Sequence, residues 1–205
     1  MIYSAEWIER PCSGQYVEKI YDIKSPWNSS KWTWIKFSDE DGEWCGEFRG
    51  EYRGVSISNN LGVVVVLTSD HMFKLDINTA ELIGYDSQPE FIDITTSPKG
   101  NVFLTDGYGI EFLVNNEAGK VESITIPHIP VQPDNLRFVE WNDNILKIRC
   151  DEFLNWENEI ELYLDCESME WVDHLRSDKQ SSSIKETLMG LFSRKNSRYV
   201  PDDVG

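Results

Sequence analysis

The chain has 205 residues, with 36 acidic side chains against 19 basic ones, a formal charge of −17 and a sequence pI near 4.5. That balance disfavours nucleic acid, whose phosphates need clustered Lys and Arg, and it disfavours anionic lipid for the same reason. A hydrophobic content of 40%, with eight Trp, argues against a disordered chain and is enough to build a substantial core.

From the N-terminus, Met1 to Trp7 shows neither a basic n-region nor an apolar h-region. The longest apolar run, Val63 to Leu67, is far shorter than the roughly 20 residues a membrane helix needs. Cys12, Cys45, Cys150 and Cys166 have no paired spacing, and His71, His128 and His174 complete no zinc pattern with them. The expectation is a cytoplasmic chain with free thiols, no metal and no cofactor.

The first unit contains a hairpin, Trp32 to Phe37 followed by Asp41-Gly42 as a two-residue turn and Glu43-Trp44. Asp39 to Glu43 lacks the Asp spacing and the distant Glu of a calcium loop, so the turn explains these residues better. Trp27, Trp32, Trp34, Trp44 and Tyr21 make this region unusually aromatic. Trp32 and Trp34 share parity in a strand and face the same way, either as a ring platform for a sugar or peptide or as core-closing residues. Gly46 to Gly54 repeats Gly-Glu-aromatic-Arg. Read as one extended strand, it puts Arg49 and Arg53 on a common face, as an anion-binding pair or as members of a solvated row of ion pairs.

From Val55 onward the chain matches itself at an offset of 37 residues. Val55 and Ile57 fall on Ile92 and Ile94, Val65 on Val102, Leu67-Thr68 on Leu104-Thr105, and Asn78 on Asn115. Each unit reads as four short strands separated by turns, with apolar residues alternating at period 2. Asp70 and Asp106 follow equivalent Leu-Thr strand ends and belong on one rim, chiefly as turn formers. A later unit places Leu136 and Phe138, then Leu146 and Ile148, in the same roles. Leu162 to Trp171 tracks Phe73 to Leu82 at an offset of 89. An insertion, Asp151 to Asn158, separates its middle strands and carries Phe153 and Trp156, apolar residues that either fold back or touch a partner.

Four-stranded units of roughly 40 residues are characteristic of propeller blades. The hairpin Leu75-Asp76-Ile77-Asn78-Thr79-Ala80-Glu81-Leu82 resembles the L-D-[LI]-x-T-G-x-L strand-turn-strand of several β-propeller families. Ile94 to Asp106 is similar to the S-P-[DK]-G-x-[VL] segment of NHL-like propellers. The resemblance is best over residues 55–126. It departs at Ala80, where those families carry Gly, and no Trp-Asp repeat signature is present. It implies an all-β, propeller-like repeat of about four antiparallel units. A curved meander sheet or a β-sandwich is the alternative built from the same strands.

Residues 1–172 hold 13 Lys and Arg against 31 Asp and Glu, a net charge of −18, whereas residues 173–205 are at +1. Ser177 to Ser183 has linker composition, which divides an acidic β domain, 1–172, from a tail, 173–205. In the tail, Ser183 and Glu186 form a capping box, and Ile184, Leu188, Leu191 and Phe192 fall on one face of a short amphipathic helix, suited either to packing against the β domain or to docking into a groove on another protein.

No Gly-x-Ser-x-Gly, phosphate-binding loop, His-Glu-x-x-His or dinucleotide fingerprint appears. No catalytic residue is assigned. The expected function is a non-enzymatic protein-binding module, of inhibitor or immunity type, that engages a basic partner. The alternatives are a glycan-binding module using the Trp-rich first unit and a carboxylate-dependent glycoside hydrolase.

Overall fold

A computed structural model describes residues 1–172, and every regular element in them is a strand. The expected C-terminal helix, with Ile184, Leu188, Leu191 and Phe192, lies outside the described residues. Sixteen strands form four separate sheets of four, so the architecture is all-β and propeller-like, with one blade-like sheet per sequence unit. Four distinct sheets replace the alternative of a single curved meander.

Sheet B is the meander β5 (Tyr52–Ser58), β6 (Val63–Thr68), β7 (His71–Asp76) and β8 (Leu82–Ser87). Sheet C repeats it with β9 (Asp93–Thr96), β10 (Val102–Thr105), β11 (Ile110–Asn115) and β12 (Val121–Thr125). Sheet D has β13 (Pro133–Asn142), β14 (Ile145–Glu152), β15 (Asn155–Asp165) and the short β16 (Glu170–Trp171). Sheet A departs from the pattern. Its strands β1 (Ser4–Ile8), β2 (Val17–Tyr21), β3 (Trp32–Asp39) and β4 (Gly42–Arg49) lie in the order β1-β3-β4-β2, and β2 runs parallel to β4. The β3–β4 turn is Glu40-Asp41, one residue earlier than expected, because Asp39 still pairs with Gly42 and its Oδ1 accepts the Asp41 amide at 2.9 Å.

Strict alternation along the strands builds three cores in series. Val64 and Val66 pack with Ile35, Phe37 and Phe48 of sheet A. Val63, Val65 and Leu67 point the other way, against Val102 and Leu104 of sheet C. Phe103, between those two, joins Leu146, Ile148 and Leu164 of sheet D. Sheets B and C are therefore buried on both faces, whereas A and D bury one face each.

The hairpin resembling L-D-x-x-T-G uses a side-chain turn in which Asp76 Oδ1 accepts the amides of Asn78 (2.8 Å) and Thr79 (2.9 Å). Ala80 then adopts a left-handed φ of 56°, despite its Cβ. Its equivalents Gly119 and Met169 do the same, at 73° and 56°. The backbone conformation thus repeats where the residue type does not. Ala80 is buried in the core between sheets A and B, and its carbonyl accepts the Tyr21 hydroxyl at 2.6 Å.

The inner strands also approach closely. β5 lies between β1 and β9, and a Cβ on Gly54 would sit 2.3 Å from Ile94 Cγ2. Gly54→Ala is expected to lower stability by about 1–3 kcal/mol through overpacking. Gly84→Ala, whose Cβ meets nothing within 4 Å, is expected to leave stability unchanged or raise it slightly. Urea unfolding midpoints of the two variants check this contrast.

Candidate functional site

Gly46 to Gly54 is not one strand. The ladder breaks after Arg49, where Gly50 takes a φ of +107° and the chain passes from sheet A to sheet B. This separates the two arginines. Arg49 donates to Asp22 Oδ1 at 2.6 Å and stacks over Trp32 at 4.0 Å. Arg53 turns inward and donates to the carbonyls of Phe91 (2.6 Å) and Pro89 (3.2 Å), tying β5 to the β8–β9 connection. Burial lowers the pKa of its guanidinium, against the raising influence of Asp70 and Glu51. The two arginines therefore share no face, and they form neither an anion-binding pair nor one solvated row of ion pairs.

Trp32 and Trp34 do share a face, the solvent face of sheet A, where both are half-buried. They line a groove of about 530 Å³ with Arg10, Ser30, Lys31 and Glu47. Each ring carries a guanidinium, since Arg10 lies 5.8 Å from the Trp34 centroid. Trp44 and Tyr21 instead belong to the core shared with sheet B, where Tyr21 stacks on Phe48 at 4.6 Å. The aromatic first unit therefore divides between core and surface.

Asp70 and Asp106 occupy equivalent strand ends but do different work. Asp106 makes the expected turn, accepting the amides of Tyr108 (2.8 Å) and Gly109 (2.7 Å). Asp70 is 1% exposed, with Oδ1 accepting the Ser69 hydroxyl and Oδ2 without a partner. The turn-forming residue common to both ends is the preceding threonine. Thr68 Oγ1 accepts the His71 amide, and Thr105 Oγ1 accepts the Gly107 amide, each at 3.0 Å. The repeated Leu-Thr pairs carried that signal in the sequence.

The hairpin joining β14 to β15 gathers three exposed apolar residues into one place, two of them the most exposed large apolar side chains among the described residues. The expected insertion is an extension of these two strands, closed by a tight turn at Phe153 and Leu154, with Leu154 at a φ of 65°. Leu154 is 80% exposed and Trp156 74%, and Phe153 is also exposed. Trp156 Nε1 donates to Asp134 Oδ2 at 3.1 Å, which fixes the ring beside a carboxylate. Asp151 accepts from Asn135, and Glu152 from Asn155 and Asn158. Those two amides hold the Glu152 carboxyl below its ordinary pKa. Amides and an indole thus satisfy these carboxylates while leaving their charge uncompensated. Phe153 and Trp156, singled out from sequence, are brought together here, and Leu154 joins them.

Beneath the surface, His71 is fully buried, with Nδ1 3.2 Å from the Ser87 hydroxyl and its ring edge-on to Phe73 and Tyr85. Burial pushes its pKa down. The Asp70 charge and the backbone of Ile23 and Lys24 oppose that shift, while Arg49 adds to it. All four cysteines are free, and only Cys12 is exposed. Burial raises the Cys45 thiol to about 11 and the Cys166 thiol to about 12, and raises that of Cys150 too. Among the described residues, no group of three or more His, Cys, Asp or Glu could hold a metal. Among them, too, no helix is long and apolar enough to cross a membrane.

The fold and surface define a propeller-like, acidic β protein with an apolar hairpin tip. No protein-family model matches the sequence, and no curated protein matches it. Among solved structures the chain is similar to the N-terminal domain of Nup159, with 13% identity and a TM-score of 0.40 over 60% of this chain and 33% of that one. It is also similar to streptogramin B lyase, with 17% identity and a TM-score of 0.34 over 78% of this chain and 58% of that one. The chain thus spans about a third of the first structure and somewhat over half of the second.

Two outcomes follow from the buried groups. An unfolded His titrates near 6.5, and His71 in the fold titrates lower. Its contribution to stability is therefore full above about pH 6.5 and is lost as pH falls through the folded value. His71→Phe is expected to flatten the acid side of the stability profile, as read from urea midpoints between neutral and mildly acidic pH. A chromogenic disulfide reagent is expected to modify Cys12 alone in the native protein, with the other three thiols reacting only in denaturant.

Proposed function

We propose that the chain is a non-enzymatic, cytoplasmic protein-binding module of inhibitor or immunity type, which engages a basic partner protein through the tip of the β14–β15 hairpin. One observation carries the reading: Phe153 and Leu154 of the turn and Trp156 at the start of β15 stand exposed at one hairpin tip among Asp134, Asp151, Glu152 and Glu157. A large aromatic held beside satisfied carboxylates suits a binding hot spot, because desolvating the ring contributes affinity while the charges steer the encounter.

The charge of the whole domain supports the same reading. At −18 over residues 1–172, it accelerates association with a cationic surface and slows association with an acidic one. Free thiols, three of them buried, support a reducing compartment.

The test starts with affinity capture from the source cell on the immobilised full chain at low salt, followed by binding kinetics with the purified partner. The association rate is expected to fall on the order of tenfold from low to physiological ionic strength. Trp156→Ala is expected to weaken binding by about 2 kcal/mol, mainly through faster dissociation. A salt-independent rate, or full affinity in Trp156→Ala, would overturn the reading.

A further inference from the structure

β15 runs from Asn155 to Asp165, yet its outer neighbour β16 pairs only with Leu164 and Asp165. One further bond, from the Val172 amide to the Tyr163 carbonyl at 2.9 Å, shows that the backbone groups of Tyr163 point away from β14. In an antiparallel strand alternate residues direct their N–H and C=O to the same side, so those of Glu161 and Glu159 point outward as well. No strand or backbone group among the described residues pairs with them. Such an edge is a template for another strand.

The surroundings of this edge have a definite chemistry. A groove of about 380 Å³ lies beside it, with Pro130, Val131, Leu162 and Trp171 in its wall. Trp171 also presents a buried indole N–H that has no acceptor among the described residues. On one face of β15, Ile160 and Leu162 belong to the core between sheets C and D. On the other, Glu161 pairs with Lys147 of β14 at 2.8 Å and Glu159 with Arg149 at 3.2 Å, whereas Glu157 makes no ion pair among the described residues. A strand added here would meet carboxylates on one face and apolar surface on the other.

We propose that the outer edge of β15 takes up an extended segment of a basic partner protein, one in which cationic and apolar side chains alternate. This rests on the reading of the chain as a binder of a basic protein and adds the mode of binding. The cationic residues lie across from Glu159 and Glu161, the apolar ones fill the groove against Val131 and Leu162, and the backbone completes the ladder. Charge decides between this occupant and a second copy, because a copy would bring the same net excess of −18 over residues 1–172 to the edge.

The test uses the full chain and three synthetic heptapeptides. The first alternates Arg and Val, the second is identical but N-methylated at alternate backbone nitrogens, and the third has Glu in place of Arg. Amide hydrogen exchange and peptide affinity are read together. The Arg-Val peptide is expected to slow exchange at Glu159 and Glu161, and N-methylation is expected to weaken it about tenfold or more. Equal binding by the methylated peptide overturns strand addition and leaves the acidic-surface reading intact. Equal binding by the Glu peptide removes both. If Glu159 and Glu161 are already protected without peptide, the edge is occupied by the chain itself, or by a second copy where protection grows with concentration. Either result overturns the proposal.

Discussion

Burial of both faces of sheets B and C is the constraint on which the rest of the structure depends. A strand such as Val63 to Leu67 has no polar side to offer water, so sheet B must have a neighbour on each face. Alternation then assigns odd residues to one core and even residues to the other. The same rule passes along the chain through Val102, Phe103 and Leu104, until it reaches a sheet with polar side chains to spare. Sheets A and D fill that role. The outer face of A carries Lys36 between Glu6 and Glu43, and that of D carries Lys147 and Arg149 among Glu159 and Glu161. The series of cores ends as a repeat array ends, on a polar outer face.

This arrangement also locates the excess charge. Exposed ion pairs contribute little to stability, about 0–1 kcal/mol each, and thirteen cations cannot neutralise thirty-one anions. The surplus therefore has to be hydrated or hydrogen-bonded. At the β14–β15 hairpin it is held by Asn135, Asn155, Asn158 and the Trp156 indole. Neutral donors order a carboxylate without cancelling its field, so the region remains attractive to a cation while already preorganised.

Much of the fold is legible in the sequence because alternation and turn chemistry are local. The offset of 37 residues places the strands of sheets B and C correctly, and the offset of 89 relates Ala80 to Met169, which share a left-handed backbone. What the sequence hides is non-local. Alternation continues unbroken from Gly46 to Gly54, so nothing in the pattern announces that the chain changes sheets at Gly50. The parallel seat of β2 beside β4 depends on where a long connection returns, which periodicity does not encode. The candidate site was half legible. Phe153 and Trp156 stand out as apolar residues in an insertion, but the outward backbone of Glu159 and Glu161, unpaired among the described residues, follows only from where β16 pairs.

That free side and the acidity explain each other. An exposed edge strand invites pairing with any extended chain, and like charges are one means by which proteins suppress it. The net negative charge of residues 1–172 repels copies of this same acidic surface. The repulsion is selective, since a segment bearing Arg or Lys at alternate positions is attracted by the charges that reject a copy. Apolar side chains at the intervening positions would then reach Leu162 and the groove beside Trp171, where burial adds affinity that charge alone does not supply. In the mode of binding we propose, the acidity that keeps the edge from aggregating would thus also choose its partner.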